Sequence, residues 1–308
     1  MHAILAPGQG AQRQGFLASW LEIDGVPEQL HEIADAAAVD LVAAGTTMSE
    51  AHITDTAVAQ PLIVAAGLVA AAALGPLPDG TLLAGHSVGE FTAASVAGVL
   101  SPATAMRLVA IRGRAMAAAA AIEPSGMTAI LGGDRDEVRA AISAAGCWVA
   151  NDNGAGQLVA AGPSAALDRL AATPPAGSRL RPLAVAGAFH TELMAPAQRD
   201  LEAALAGVDA DAVRYPLVSN LDGEVVTDGV EMLRRLAAQV CAPVRWDACL
   251  STLAQRGVSA VIELPPAGTL TAIVRRALPD VTTVAVRTPD DLAEAQALIA
   301  RTPALAAG

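Results

Sequence analysis

The sequence predicts an α/β fold: a large domain with a parallel sheet, and a smaller α+β subdomain inserted into it. Over most of the chain, short apolar runs alternate with longer helical patterns, which is typical of a parallel sheet covered by helices on both faces. Residues 126–187 instead have the order β-α-β-β-α-β, the ferredoxin-like split motif. The chain has 308 residues, which is long for one compact core. We therefore assign residues 1–125 and 188–308 to the large domain and 126–187 to the subdomain.

The first part of the chain supplies strands and helices of the large domain. Residues 3–6 and 81–84 are short apolar runs followed by turn residues, which predicts two buried strands. Residues 61–74 predict a buried helix with Pro61 near its first turn, and this run is shorter than the roughly 20 residues that span a bilayer. Ser101 as N-cap and Pro102 in the first turn predict another helix, continuing through Ala121.

The same patterns predict the strands and helices of the inserted subdomain and of the C-terminal part of the chain. Predicted strands of the subdomain are residues 127–131, 147–150, 157–161 and 180–185, and its predicted helices are residues 134–145 and 164–172. Residues 258–264 then predict a late strand of the large domain, followed by a helix at 268–278. The Ala-rich tail after Pro303 is expected to be frayed.

The composition excludes several classes of function. The net charge is −12, which disfavours binding to nucleic acid and to anionic membranes. The three cysteines are odd in number and form no CxxC pair, so neither a disulfide framework nor a zinc site is expected. The N-terminus has neither a basic segment nor the long apolar run of a secretory signal. We expect a cytoplasmic monomer that binds no metal.

A candidate nucleophile lies between a predicted strand and a predicted helix. Residues 85–89 read GHSVG, a G-x-S-x-G sequence in the context that a nucleophile elbow requires. Such a turn exposes the serine hydroxyl, here that of Ser87, at the carboxyl edge of the sheet, where open α/β sheets bind ligands. The following helix directs its N-terminal N–H groups at the site, which favours developing negative charge.

A serine nucleophile needs a base, and the histidines can be compared. The chain has five: His2, His31, His52, His86 and His190. His2 opens the first strand, two others lie in polar segments, and the side chain of His86 should diverge from its neighbour Ser87. His190 remains, in a strand-to-helix turn. No acid between Ser87 and His190 follows a strand convincingly, so the group that orients the base is left open between a carbonyl and an amide.

Several motifs occur in a fixed order along nearly the whole chain. They are PGQGAQ at 7–12, GHSVGE at 85–90, RGRAM at 112–116, FH at 189–190 followed by Leu193 and Met194, and Gln239 ahead of PVRW at 243–246. In these motifs the chain resembles the malonyl-CoA:acyl carrier protein transacylases of bacterial fatty acid synthesis and, more distantly, the acyltransferase domains of polyketide synthases. The resemblance implies a hydrolase-like large domain with a ferredoxin-like insertion.

The resemblance implies roles for the residues that match these motifs. Ser87 would be the acylated nucleophile, and His190 its general base and then the acid for the leaving thiolate. Gln239 would supply the carbonyl that orients His190. The backbone N–H groups of Gln9 and Val88 would form the oxyanion hole.

The same resemblance implies the substrate and its contacts. Arg112 would hold the free carboxylate of malonate, because a guanidinium pairs bidentately with a carboxylate. Met116, one helical turn later, would line that pocket, and we add His86 to the expected substrate contacts. Phe189 resembles the malonyl-selective pattern, since a ring there would crowd a methyl branch. Malonyl-CoA and acyl carrier protein would be the partners, with no cofactor apart from the coenzyme A thioester that is itself substrate.

One motif departs from the family pattern, and the residues leave two alternative functions and the identity of the carrier open. Residues 264–270 read LPPAGTL, where many family members have a Gly-Pro-Gly loop. A serine hydrolase, such as a thioesterase, shares the elbow and the base but needs no Arg112, and a catalytically silent carrier-binding subunit is a second alternative. The residues do not distinguish a fatty acid carrier from a polyketide carrier. Basic residues that could meet an acidic carrier are Arg179, Arg181, Arg275 and Arg276.

Overall fold

The computed structural model describes residues 1–301 and contains two sheets, of six and five strands. The strands are β1 (His2–Ala6), β2 (Leu82–Gly85), β3 (Ser125–Gly132), β4 (Trp148–Asp152), β5 (Gln157–Pro163), β6 (Ser178–Pro182), β7 (Leu217–Val218), β8 (Val225–Val226), β9 (Val244–Arg245), β10 (Ala260–Glu263) and β11 (Thr282–Ala285). The α-helices are α1 (Val26–Ala37), α2 (Leu41–Thr46), α3 (Glu50–Thr54), α4 (Thr56–Leu74), α5 (Gly89–Val96), α6 (Pro102–Ala120), α7 (Arg135–Ala144), α8 (Ser164–Ala172), α9 (Ala195–Leu205), α10 (Gly229–Ala238), α11 (Trp246–Gln255), α12 (Thr269–Ala277) and α13 (Leu292–Arg301). The Ala-rich tail after Pro303 lies outside the described residues.

The larger sheet has the strand order β11-β10-β1-β2-β7-β8. Its first five strands are parallel, and β8 is antiparallel to β7. The pairing of Ala6 with Gly85 brings the ends of β1 and β2 to the same point of the sheet. The predicted parallel α/β sheet is therefore confirmed, and its carboxyl edge collects the loops that follow β1, β2 and β7.

The smaller sheet has the order β6-β3-β5-β4-β9. The antiparallel strands β3 to β6, with α7 and α8, have the order expected of a ferredoxin-like motif and enclose a separate apolar cluster that includes Ile130, Val138 and Leu158. The fifth strand, β9, pairs in parallel with β4 but comes from outside residues 126–187. The sequence reading did not predict this strand, because two residues are too few for a pattern.

Two element boundaries differ from the sequence reading. The buried helix begins at Thr56 and not at Pro61, because the side chain of Asp55 accepts a hydrogen bond from Ala57 N and starts the helix earlier. Pro61 therefore lies inside α4, where it cannot donate to the carbonyl one turn before it. The strand predicted at 180–185 is β6, and its pairing with β3 ends at Pro182.

Helix α4 is the central helix of the large core. It is long and apolar enough to cross a membrane by length and composition, but 72% of its most apolar window is buried in the protein. It packs against α6, α5 and α1. Helix α6 begins as predicted: the Ser101 hydroxyl accepts from Thr104 N, and Pro102 is in the first turn. Helix α4 carries Gln60 and α6 carries Arg112, and the two side chains are hydrogen-bonded to each other next to the turn that follows β2.

Candidate active site

The turn between β2 and α5 holds Ser87 in a strained backbone conformation. Its φ is 54°, in a region that non-glycine residues seldom adopt and that costs on the order of 1–3 kcal/mol. A Cβ on Gly85 would lie 2.0 Å from the carbonyl carbon of Gly89, and one on Gly89 would lie 2.2 Å from Ala6 O. Only glycine therefore fits on either side of Ser87, which is the physical basis of the sequence pattern.

A hydrogen-bonded chain links Ser87 to His190 and Gln239. Ser87 Oγ lies 2.8 Å from His190 Nε2, and His190 Nδ1 lies 3.0 Å from the backbone oxygen of Gln239. Because a carbonyl oxygen only accepts, Nδ1 carries the proton and Nε2 is left to accept from the serine hydroxyl. The choice that the sequence left open, between a carbonyl and an amide, falls on the backbone carbonyl of Gln239.

The environment keeps His190 neutral. The side chain is buried, and its residue has a positive φ of 61°. Burial, and after it the positive charge of Arg112, lowers the pKa of His190 to about 3, although the hydrogen bond to Gln239 acts in the opposite direction. A neutral imidazole is the form that can take a proton from Ser87.

Arg112 lies behind Ser87, deep in the protein, and is 1% exposed. Its Nη1 donates to Gln60 Oε1 at 2.7 Å, and its Nη2 donates to Gln239 Oε1 at 3.2 Å and to Ser87 Oγ at 3.3 Å. Burial lowers its pKa to about 10, so it is charged at neutral pH. Within residues 1–301 it forms no salt bridge, and its Nε has no acceptor. A buried cation bonded only to neutral groups is prepared for an anionic ligand.

A cavity of about 250 Å³ opens in front of Ser87, between the two sheets. The predicted residues Met116 and Phe189 lie in its wall together with Gln9, His86, Val88 and His190. The smaller sheet contributes Ala129, Asn151 and Val159. The cavity wall is mostly apolar with a few polar groups close to the serine, which is the usual composition of a small-molecule site. Arg112 does not line the wall, but its Nη2 lies 3.3 Å from the Ser87 hydroxyl.

The backbone N–H groups of Gln9 and Val88 are available to a ligand. In the hydrogen bonds of residues 1–301 neither group has an acceptor in the protein. The Gln9 side chain donates to Thr54 O at 3.2 Å, which fixes the loop after β1. Val88 directly precedes α5, whose N-terminus favours negative charge.

His86 points away from the Ser87 hydroxyl, as the sequence reading expected. Its Nε2 lies 3.0 Å from Asn153 Oδ1, and its ring meets Trp246 edge-on with 5.4 Å between the centroids. Burial lowers the pKa of His86. The ring therefore joins the elbow to the residues that directly follow β4 and β9, and it also lines the cavity.

Sequence reasoning missed three polar residues of the site: Gln60, Asn153 and Asn220. Gln60 is inside the apolar run of α4 and holds both the Arg112 guanidinium and Met116 Sδ, the latter at 3.4 Å. Asn153 and Asn220 follow strands that are short or irregular. Of the three, only Gln60 could have been recognised from the sequence: it is a polar residue in an otherwise apolar helix, and a buried amide needs hydrogen-bond partners.

The four arginines expected near a carrier are exposed at the surface, and one of them contacts a residue of the cavity wall. Arg276 Nη2 donates to Gln157 Oε1 at 3.3 Å, and Gln157 lines the cavity. Arg275 donates to Thr283, while Arg179 and Arg181 are on β6. No group of three or more His, Cys, Asp or Glu side chains that could hold a metal ion occurs among the residues that the structure describes.

Comparison with known proteins identifies relatives over nearly the whole chain. The acyl transferase domain family matches residues 5–295. The malonyl CoA-acyl carrier protein transacylase of Mycobacterium tuberculosis is 48% identical over 298 residues, covering 96% of this chain and 99% of the relative. The crystal structure of MCAT from the same organism superposes with a TM-score of 0.92 at 48% identity, covering 95% of this chain and 98% of that one. A malonyl-transacylase in complex with its type II PKS acyl-carrier protein has a TM-score of 0.89 at 30% identity, covering 96% and 99%.

Proposed function

The chain belongs to the acyl transferase domain family, and from this we propose that it is a malonyl-CoA:acyl carrier protein S-malonyltransferase. It transfers a malonyl group from coenzyme A to the phosphopantetheine thiol of acyl carrier protein, supplying extender units for fatty acid or polyketide synthesis. The observation that carries the proposal is the buried Arg112 guanidinium, without a carboxylate partner, 3.3 Å from the Ser87 hydroxyl. A serine elbow alone serves many acyl groups, whereas this cation selects one that carries a free carboxylate besides its thioester carbonyl.

The first half-reaction forms the malonyl-serine ester. Ser87 Oγ attacks the thioester carbonyl while His190 Nε2 takes the hydroxyl proton, a role supported by the 2.8 Å distance between the two atoms. The C–S bond then breaks, and His190 returns the proton to the departing coenzyme A thiolate. The Gln239 carbonyl stabilises the imidazolium through the Nδ1 proton.

The second half-reaction reverses these steps with a different thiol. His190 takes the proton of the phosphopantetheine thiol, whose sulfur attacks the malonyl ester, and the proton then returns to Ser87 Oγ. A thioester and a serine ester are close in energy, so the protein mainly supplies positioning and charge stabilisation. The free N–H groups of Gln9 and Val88 support their assignment as the oxyanion hole in both halves.

The malonyl carboxylate becomes the anionic partner of Arg112, which forms no salt bridge within residues 1–301. The unpartnered Nε of Arg112 and its buried charge support this role. Met116 and Phe189 line the acyl cavity, and His86 forms its wall beside the serine. We further propose that the chain acts as a cytoplasmic monomer without a cofactor.

The decisive experiment incubates the purified protein with malonyl-CoA, alone and with holo acyl carrier protein. We expect a malonyl adduct on Ser87 by intact mass and peptide mapping, and a malonyl carrier when carrier is added. Free malonate without malonyl carrier would identify a thioesterase instead. No adduct on Ser87 would indicate a subunit without acyltransferase activity.

The pH profile of acylation tests the environment of His190. Because its pKa is lowered to about 3, the base stays neutral through pH 6.5, where an ordinary histidine would protonate. We expect kcat/KM to show no acid limb between about pH 7 and about pH 5, a range below the pKa of the Glu90 carboxyl, which burial raises to about 8. An acid limb centred near the ordinary histidine value would contradict the lowered pKa. In Arg112→Ala, measured with acetyl-CoA, the loss of a positive charge raises the pKa of His190 and moves the acid limb to higher pH.

Replacing Phe189 with alanine should relax selection against a branched acyl chain. The ring lines the cavity beside His190, and its removal makes room for one methyl group at the acyl α-carbon. Since a methyl group is worth about 1–3 kcal/mol of discrimination, we expect the kcat/KM of methylmalonyl-CoA relative to malonyl-CoA to rise roughly tenfold. The ratio within one variant corrects for any loss of active protein, and an unchanged ratio would remove Phe189 from the selectivity determinants.

A further inference from the structure

We propose that Asn220 is a positioning residue for the nucleophile, whose side-chain amide holds the turn at Ser87 in the geometry that acylation requires. The inference rests on the proposed function, since it assigns a part in that reaction to a residue outside the family motifs described above. Asn220 is fully buried. It follows β7, which pairs with β2, the strand that runs into the turn.

One amide group bridges the two sides of the turn. Asn220 Nδ2 donates to Gly85 O at 2.5 Å, and Asn220 Oδ1 accepts from Ser87 N at 2.7 Å. These two backbone groups flank His86 and lie where the chain changes from strand to the positive φ of Ser87. Because both are fixed by the same rigid planar group, neither peptide plane can rotate without breaking a buried hydrogen bond.

The bridging residue is itself fixed by its backbone. Asn220 N donates to Glu90 Oε1 at 2.8 Å, and Asn220 O accepts from Arg245 N at 2.8 Å. Glu90 is in the first turn of α5, on the far side of the nucleophile, and Arg245 belongs to β9. The position of Asn220 is therefore fixed by residues of both sheets, and its side-chain amide in turn fixes the backbone of the strained Ser87.

The side-chain chemistry requires asparagine. The site needs one donor and one acceptor on a short side chain, which Asn supplies at every pH and an ionised Asp does not, because a carboxylate can accept from Ser87 N but cannot donate to Gly85 O. Asn220 does not line the acyl cavity. It consequently acts through Ser87 and not on the substrate, which separates its expected effect on rate from any effect on binding.

The test compares Asn220→Ala and Asn220→Asp with the parent enzyme. We expect the rate of Ser87 acylation by malonyl-CoA to fall by about 10²-fold in Asn220→Ala, the size of effect seen when a reacting group is slightly misplaced. Asn220→Asp keeps the shape of the side chain and is the second variant if the alanine variant is unfolded. Its rate should also fall at a pH where the introduced carboxyl is ionised, because the bond to Gly85 O is then lost. KM for malonyl-CoA should stay within about threefold, because no substrate contact is lost.

Two controls separate positioning from general stability and from the choice of substrate. Val226→Ala truncates a buried side chain on the edge strand β8 and should lower the melting temperature while leaving the acylation rate unchanged. A fluorophosphonate that reacts with nucleophilic serines measures Ser87 reactivity without a malonyl group. Labelling of Ser87 in the parent without a malonyl adduct would contradict the proposed function alone, and the labelling ratio between variants would still test Asn220.

Three results would overturn the inference. The first is a folded Asn220 variant that acylates within twofold of the parent. The second is a loss confined to KM, which would make Asn220 a binding residue. The third is an equal rate loss in Val226→Ala at a matched melting temperature, which would reduce the effect to stability.

Discussion

Replacement of Ser87 by alanine is expected to abolish both half-reactions. Without the Oγ atom no malonyl ester can form, and His190 Nε2 loses its hydrogen-bond partner at 2.8 Å. Removal of a nucleophile that acts together with its base costs on the order of 10³-fold to 10⁶-fold in turnover. We expect no adduct by intact mass after incubation with malonyl-CoA, and malonyl carrier formation no faster than without enzyme.

Ser95→Ala is the matched control for this experiment. Ser95 is on α5, eight positions after Ser87, and is not in the cavity wall. The control should form the adduct at the parent rate. A malonyl adduct that persists in Ser87→Ala would show that another residue carries the acyl group and would contradict the proposed mechanism.

Replacement of Arg112 by alanine is expected to separate malonyl from acetyl transfer. Removing one partner of a buried charge pair costs about 3–5 kcal/mol, so kcat/KM for malonyl-CoA should fall roughly 150-fold to 5,000-fold. An acetyl group has no free carboxylate, so acetyl transfer loses no charge pair when Arg112 is removed. Arg112 also donates hydrogen bonds to Ser87 Oγ and Gln239 Oε1, so part of the loss in kcat/KM will be common to malonyl-CoA and acetyl-CoA. The ratio of the kcat/KM values for these two substrates is therefore the diagnostic quantity.

Arg114→Ala and Arg112→Lys complete this comparison. Arg114 is on the same helix, exposed, with its guanidinium 3.5 Å from Ala37 O, and its loss should leave the malonyl-to-acetyl ratio unchanged. Lysine at position 112 keeps the charge but not the planar pair of donors, so malonyl transfer should recover only in part. Equal losses of malonyl and acetyl transfer in Arg112→Ala would remove the carboxylate role of Arg112.

The sequence predicted the nucleophile and the base by different routes. Ser87 follows from a short motif, in which glycine is required at 85 by the turn itself and at 89 by the close approach of Ala6 O on β1. His190 follows from the shortage of alternatives among five histidines. Both roles stay predictions until the variants are measured, but the 2.8 Å contact between residues 103 positions apart supports them.

Other parts of the site were beyond single-sequence reasoning. Arg112 and Gln239 entered only through resemblance to a family, because a helical arginine and a glutamine are by default surface residues. Gln60 and Asn220 were missed, since amides carry no chemistry of their own and matter only for the groups they meet. Their partners at 112, 85 and 87 are distant in the chain.

The sequence by itself determined the alternation of strands and helices, the ferredoxin-like insertion and the glycine-flanked turn, because periodicity, capping and steric limits act between near neighbours in the chain. The tertiary structure alone decided that β9 joins the smaller sheet, that Pro61 lies inside a helix, and that the oxygen of Gln239 which meets His190 Nδ1 is the backbone one. It also decided that a buried guanidinium meets the serine hydroxyl without a carboxylate partner. Those outcomes depend on hydrogen bonds and charges between residues that are far apart in the sequence and meet only when the chain is packed. The energies of these interactions cannot be inferred from a local sequence pattern.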